Sequence, residues 1–264
     1  MQFTEWYRGW RNRPRARRTL TARPALLRHA RLHLEQLEDR TLLSSYTALT
    51  ASDLIADINA ANAAGGANTI TLTALTGNPY SLTAVDNTTD GATGLPVISG
   101  GGRKAGADNL TILGNGDIIE RSTASGTPDF RLFDVAVLAS LTLQNLTLQN
   151  GYALGSGSSA EGGAIFNQGS LTLSGVTVQG NSAVGSSGAD AKNKNENGGN
   201  GQDAAGGGIY SNGSLSLENG SLIQNNQTQG GSGGASGGVL SRRSRISWSF
   251  LNLHLWAQSK EVPC

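Results

Sequence analysis

GGAIFNQGSLTLSGVTVQGN at 162–181 and GGGIYSNGSLSLENGSLIQNN at 206–226 are two copies of one pattern, and a partial third copy, SLTLQNLTLQNG, lies at 140–151. Placing Leu141 on Leu171 gives an offset of 30, and Leu171 on Leu215 an offset of 44. A short alternating strand is kept while the spacer changes length. That is what stacked coils require, because each unit touches only its neighbours and extra residues leave at the corners. In such a stack Leu141, Leu171 and Leu215 form one inward aliphatic ladder and Leu143, Leu173 and Leu217 a second. Ile165 falls on Ile209, Phe166 on Tyr210, and Asn181 on Asn226 at a corner where the amide can satisfy backbone groups of the next turn. The pattern speaks for architecture and assigns no activity.

The 264 residues carry 20 Lys and Arg against 19 Asp and Glu, and this balance averages two unlike regions. Residues 1–31 hold nine Arg and one acid, whereas 46–238 hold 14 acidic residues against six basic ones. All four Trp, all three His and the single Cys264 lie outside 46–238. The middle therefore has no disulfide framework and no thiolate metal site. Its Gly, Asn, Ser and Thr alternate with Leu, Ile and Val, which argues for thin strands and many turns. No apolar run approaches the roughly 20 residues of a membrane-spanning helix.

Three regions follow from this pass. Residues 1–45 are expected to be an Arg-rich, disordered export leader; a short basic tail alone does not make a nucleic-acid binder, so no nucleic-acid partner is expected. Residues 46–238 form the body. It starts with a helix at 52–64, capped by Ser52 and stopped by Gly65-Gly66, which suits a lid on the first coil. Period-two strands follow at 67–75, 93–100, 109–119, 129–136 and 140–150. The spacer 182–205 is low in complexity and polar, and is expected to be a long surface loop. At 233–240 another copy of the repeat begins and breaks off. Residues 239–264 bring back Arg, Trp and His, as an out-of-frame or truncated end would.

The two repeat copies resemble polymorphic outer-membrane-protein repeats, found in pectin-lyase-like right-handed parallel β-helices. The stretch RLHLEQLEDRTLLSS (31–45) resembles the leader of exported planctomycete proteins, with Gln36 where that leader usually has Pro. These resemblances imply an all-β right-handed parallel β-helix with a short N-terminal capping helix, exported and secreted or held at the cell surface. The resemblance speaks for the fold more than for function; the role expected is structural and adhesion-like, toward extracellular polysaccharide or cell-surface components. Such a fold also hosts polysaccharide lyases and glycosidases, and a non-functional truncated product is the third reading.

Without His or Cys in the body, Ser–His–Asp, Cys–His and zinc chemistry have no residues to use. Clustered carboxylates with an Arg are the remaining catalytic style. The densest such patch is Asp117, Glu120, Arg121, Asp129, Arg131 and Asp134, for which solvated corner charges are the plainer account. GGNGQDAAG at 198–206 fits a calcium-binding nonapeptide with Asp203 as ligand, but one copy does not complete a coordination shell. No cofactor is otherwise expected.

Overall fold

The computed structural model describes residues 43–74, 78–99, 109–156 and 158–237. The body of the leader and the C-terminal tail lie outside these residues, so neither expectation is addressed. The chain enters through β1 (Ser44–Ala48), passes through α1 (Ala51–Ala64), and returns as β2 (Ala67–Leu72) and β3 (Tyr80–Leu82). Next come β4 (Asn109–Leu113), β5 (Ile118–Arg121) and β6 (Phe133–Val135). A full turn then runs β7 (Ser140–Gln144), β8 (Thr147–Gln149), β9 (Tyr152–Leu154), β10 (Ala160–Glu161) and β11 (Ile165–Asn167). The next repeats it as β12 (Ser170–Ser174), β13 (Thr177–Gln179), β14 (Ser182–Val184), β15 (Ala204–Ala205) and β16 (Ile209–Ser211). The last pass contributes β17 (Ser214–Glu218), β18 (Leu222–Gln224) and β19 (Gln227–Gln229).

Every pairing between these strands is parallel, and five sheets result. The longest runs β1-β2-β4-β7-β12-β17, and a second runs β3-β5-β8-β13-β18. Shorter sheets join β6, β11 and β16, then β9, β14 and β19, then β10 and β15. Successive passes thus visit the same sheets in the same order, which is compatible with a β-helix solenoid.

Register follows the repeat. Leu171 pairs with both Leu141 and Leu215, so the offsets of 30 and 44 are those of the hydrogen-bonded ladder. Ile70, Ile112, Leu143 and Leu173 form the inner row beside it, and all four are fully buried. Each buried methylene contributes about 0.8 kcal/mol. Corners between the first and second sheets fall at Asn145, Gly175 and Asn219, and the following corners at Asn150, Gly180 and Asn225, all with φ between 49 and 66°. Asn and Gly tolerate this left-handed conformation best, and so they punctuate the text. For the same reason 109–119 and 140–150, each expected as one strand, are each two strands separated by a corner. Among the described residues, 93–99 make isolated bridges rather than a strand: Thr93 to Asn87 and to Arg131, and Ile98 to Val135.

The paired glycines opening each repeat have separate reasons. Gly162 and Gly206 adopt φ of +68 and +60°. Gly163 and Gly207 have no room for a Cβ, which would overlap the carbonyl oxygens of Gly207 and Gln227 in the next pass.

Three expectations need correction. The helix begins at Ala51, and its cap is Thr50 rather than Ser52. Thr50 Oγ1 accepts from the Asp53 amide at 3.2 Å while Asp53 Oδ2 accepts from the Thr50 amide at 3.0 Å, a reciprocal capping box that Ser52 cannot make. Ser44 and Ser45 belong to β1 and pair with Asn68 and Thr69, so the body reaches back past residue 46. The helix buries Leu54, Ile58 and Ala61 against the core that begins with these strands.

The third correction concerns the 182–205 spacer, which is not a plain surface loop. Its ends are β14 and β15, and the residues between form an ordered hydrogen-bonded lattice with a three-residue period. The amides of Gly185, Gly188 and Ala191 donate to the carbonyls of Gln229, Ser232 and Ala235. Those of Gly231, Gly234 and Gly237 donate to Gln202, Gly199 and Glu196, and those of Gln202 and Gly199 donate to Ser186 and Ala189. Three residues per turn is the period of polyproline II, so every third residue faces a neighbouring backbone. Glycine stands there because a Cβ on Gly188, Gly201, Gly231 or Gly234 would overlap an adjacent carbonyl. GGASG at 233–237 therefore continues this lattice, and the remainder of the 233–240 copy lies outside the described residues.

Candidate functional site

The six charged residues singled out in the sequence divide into two groups. On the second sheet, Glu120 pairs with Gln149, Gln149 with Gln179, and Gln179 with Gln224. Their side chains form a row: Gln224 Nε2 donates to Gln179 Oε1 at 3.1 Å, Gln179 Nε2 to Gln149 Oε1 at 3.5 Å, and Gln149 Nε2 to Glu120 Oε2 at 2.7 Å. The amide row ends on a carboxylate, the strongest acceptor available to it.

Arg121, next to Glu120, bridges passes of the chain. Its Nε donates to the Asn150 carbonyl at 3.0 Å and its Nη1 to the Pro128 carbonyl at 3.2 Å. The guanidinium lies 5.7 Å from the Tyr152 ring centroid and 6.0 Å from that of Phe130. Its ion pair with Asp129 is loose, at 3.9 Å with Asp129 substantially exposed, and contributes under about 1 kcal/mol. Asp117 Oδ2 accepts from the Ala74 amide at 3.2 Å.

Arg131 and Asp134 belong elsewhere, on and beside β6. Asp134 pairs with Phe166 in β11, and Phe166 with Tyr210 in β16, whose ring stacks on it with centroids 5.7 Å apart and planes 2° from parallel. Arg131 lies over the Phe166 ring, 4.9 Å from its centroid, and donates from Nη1 to the Asp90 carbonyl at 2.9 Å. Burial lowers the Arg131 pKa, partly offset by Asp134, Asp90 and Glu161. Asp134 is fully buried, and neither carboxylate oxygen has a hydrogen-bond partner. Burial first, and the Asp90 carboxylate second, raise its pKa to about 6, against the lowering pull of Arg131. The Asp90 amide approaches closely enough to temper the rise without a hydrogen bond of normal geometry. Tyr210 is also raised, by burial and then by Glu161.

Among the described residues Asp117, Glu120, Arg121 and Asp129 make no hydrogen bond or ion pair with Arg131 or Asp134. Asp203 is exposed, and its main-chain carbonyl accepts from Ala160 at 3.0 Å. Among the described residues no group of three or more His, Cys, Asp or Glu is placed to hold a metal ion, and no helix is long and apolar enough to cross a membrane.

The glutamine row, Asp90, Glu161 and the Arg131–Phe166–Tyr210 column are absent from the sequence-derived patch. The glutamines were legible, since Gln precedes the corner in all three copies, at 149, 179 and 224. Asp90 was not, because it reaches Arg131 from a loop 41 residues upstream. Comparison with protein-family models, with curated proteins and with solved structures gives no match.

Proposed function

We propose that this chain is a right-handed parallel β-helix of the pectin-lyase-like kind, with polymorphic outer-membrane-protein-type repeats. In this reading it is exported, sits outside the cell or on its surface, and has a structural, adhesion-like role toward extracellular polysaccharide or cell-surface components. Parallel strands joined by crossovers are right-handed in about 98% of cases, which supports the handedness. One observation carries the role: Asp117, Glu120 and Arg121, which could serve chemistry, are each engaged with a neighbouring pass of the chain. Arg121 holds the Asn150 carbonyl, Glu120 receives Gln149, and Asp117 receives Ala74.

The test pairs two assays on the full chain. Co-sedimentation with insoluble acidic and neutral polysaccharides is expected to show retention that weakens in Gln149→Ala and Gln179→Ala. A polyuronate depolymerisation assay, with and without Ca²⁺, is expected to show no turnover. Turnover that disappears in Asp117→Ala or Arg121→Ala would replace this reading with the enzyme reading.

A carbohydrate-active enzyme, lyase or glycosidase, is the second reading. It is favoured by Asp134, whose pKa near 6 beside Arg131 has the character of a general acid or base. Full burial counts against it, since the carboxyl has no path to a sugar. Turnover abolished by Asp134→Asn would decide for it.

A further inference from the structure

Arg131 and Asp134 stand three residues apart, and the guanidinium is not paired with the carboxylate. It bonds instead to the main-chain carbonyl of Asp90, in a loop that leaves at Asp86 and returns at Thr93. That loop is closed by the Asp86 and Asn87 amides donating to the Thr93 carbonyl at 2.8 and 3.2 Å, and by the Thr93 amide donating to Asn87 at 2.9 Å. Gly91 lies on the guanidinium, where an added Cβ would come within 3.0 Å of Nη2. Both Asp134 oxygens and Arg131 Nε are buried without partners. A carboxylate is the preferred partner of a guanidinium, because it carries the opposite charge and can accept two parallel N–H bonds. Arg131 on a neutral carbonyl, with the Asp134 carboxyl left without a guanidinium partner, is the arrangement a protonated Asp134 would give.

We infer that Asp134 is a proton-operated latch on the 87–93 loop: neutral, it leaves Arg131 to hold the loop through the Asp90 carbonyl, and ionised, it draws Arg131 away and frees the loop. The groups facing it are few. The loop brings Asp90, whose charge opposes ionisation while its main-chain amide favours it, and Arg131, three residues earlier in the chain, favours it too. Glu161 of β10 acts on Arg131, and β11 presents only the uncharged Phe166. The pKa of about 6 puts the transition between mildly acidic and neutral media.

Amide hydrogen exchange on the full chain at pH 5 and pH 7, corrected for intrinsic rates, tests this. One unit above the pKa the ionised form outnumbers the neutral one about tenfold, so protection of Asn87 and Thr93 is expected to fall by about tenfold in the wild type. Asp134→Asn should stay protected at both pH values, and Arg131→Gln should lack protection at both. Equal wild-type protection at the two pH values overturns the latch, as does the same fall in Asp134→Asn. Should Asp134→Asn not fold, Arg131→Gln decides alone, because wild-type protection or wild-type pH dependence in that variant overturns the proposal equally.

Discussion

Asn181 is joined to Asn226, 45 residues on, by two hydrogen bonds to the same atom. Its main-chain amide reaches Asn226 Oδ1 at 3.0 Å and its Nδ2 reaches it at 2.9 Å. Asn181 in turn accepts from the Gly151 amide at 2.8 Å and donates to the Leu148 carbonyl at 3.3 Å. Each corner asparagine thus closes the backbone of the preceding pass. Asn181 is fully buried, so Asn181→Ala leaves the Gly151 amide without a partner. We expect a loss of about 3 kcal/mol, read by chemical denaturation, with Asn181→Ser recovering little because its hydroxyl is too short.

Ladder position sets the cost of a truncated leucine. Leu173 is fully buried between Leu143 and Leu217, whereas Leu217 is 38% exposed. Leu173→Ala is expected to lose 2–5 kcal/mol, roughly what a buried leucine costs. Leu217→Ala should lose less than about 1 kcal/mol. Equal losses in urea titrations would remove the ladder account.

One turn is strained. Leu138 adopts φ of 70°, in a turn closed by the Ala139 amide on the Ala136 carbonyl, and its side chain is 46% exposed. A left-handed conformation costs an L-residue about 1–2 kcal/mol. Leu138→Gly should therefore stabilise the chain by about 1 kcal/mol, seen as a raised Tm.

Asp134 makes stability depend on pH. Its pKa is raised from 3.8 to about 6 on folding, so between these values the folded chain binds more protons than the unfolded one. Stability accordingly falls as pH rises through this window, by up to about 3 kcal/mol, and stays low above it. Asp134→Asn should flatten the profile and raise the Tm at pH 7 while leaving it almost unchanged at pH 4.

The glycine lattice predicts a cost where composition suggests none. Gly231→Ala would drive a Cβ into the Ser186 carbonyl, although Gly231 lies in a stretch that reads as linker. Loss of amide protection at Gly185, Gly188 and Gln202 in that variant is the expected result. Ser232→Ala, one residue further on, should leave protection intact.

Legibility in the sequence tracked periodicity. Leu171, Phe166 and Asn181 announced their partners because a parallel stack puts like residues on like residues. The lattice at 185–203 is illegible in the sequence, since its period of three carries no hydrophobic signal, only a spacing of glycines. Thr50 and Ser52 can both cap, and only the reciprocal bond with Asp53 separates them. The patch divides for a different reason: Asp117, Glu120, Arg121, Asp129, Arg131 and Asp134 are near in sequence, yet Arg121 lies against Asp129, Phe130 and Tyr152 while Arg131 lies over Phe166. Nearness along a coiled path is poor evidence of nearness across it.

The three-residue lattice also bears on how this region can vary over generations. Low-complexity text is usually free to drift, with insertions and replacements accumulating at random. Here drift would be gated by phase: Ser187, Asn200 and Ser232 can change identity, while Gly188, Gly201 and Gly231 cannot. Insertions would survive in whole triplets and be purged otherwise. A saturation scan of 185–203 and 229–237 should thus show a beat of every third codon, a rhythm that disordered glycine-rich tracts lack.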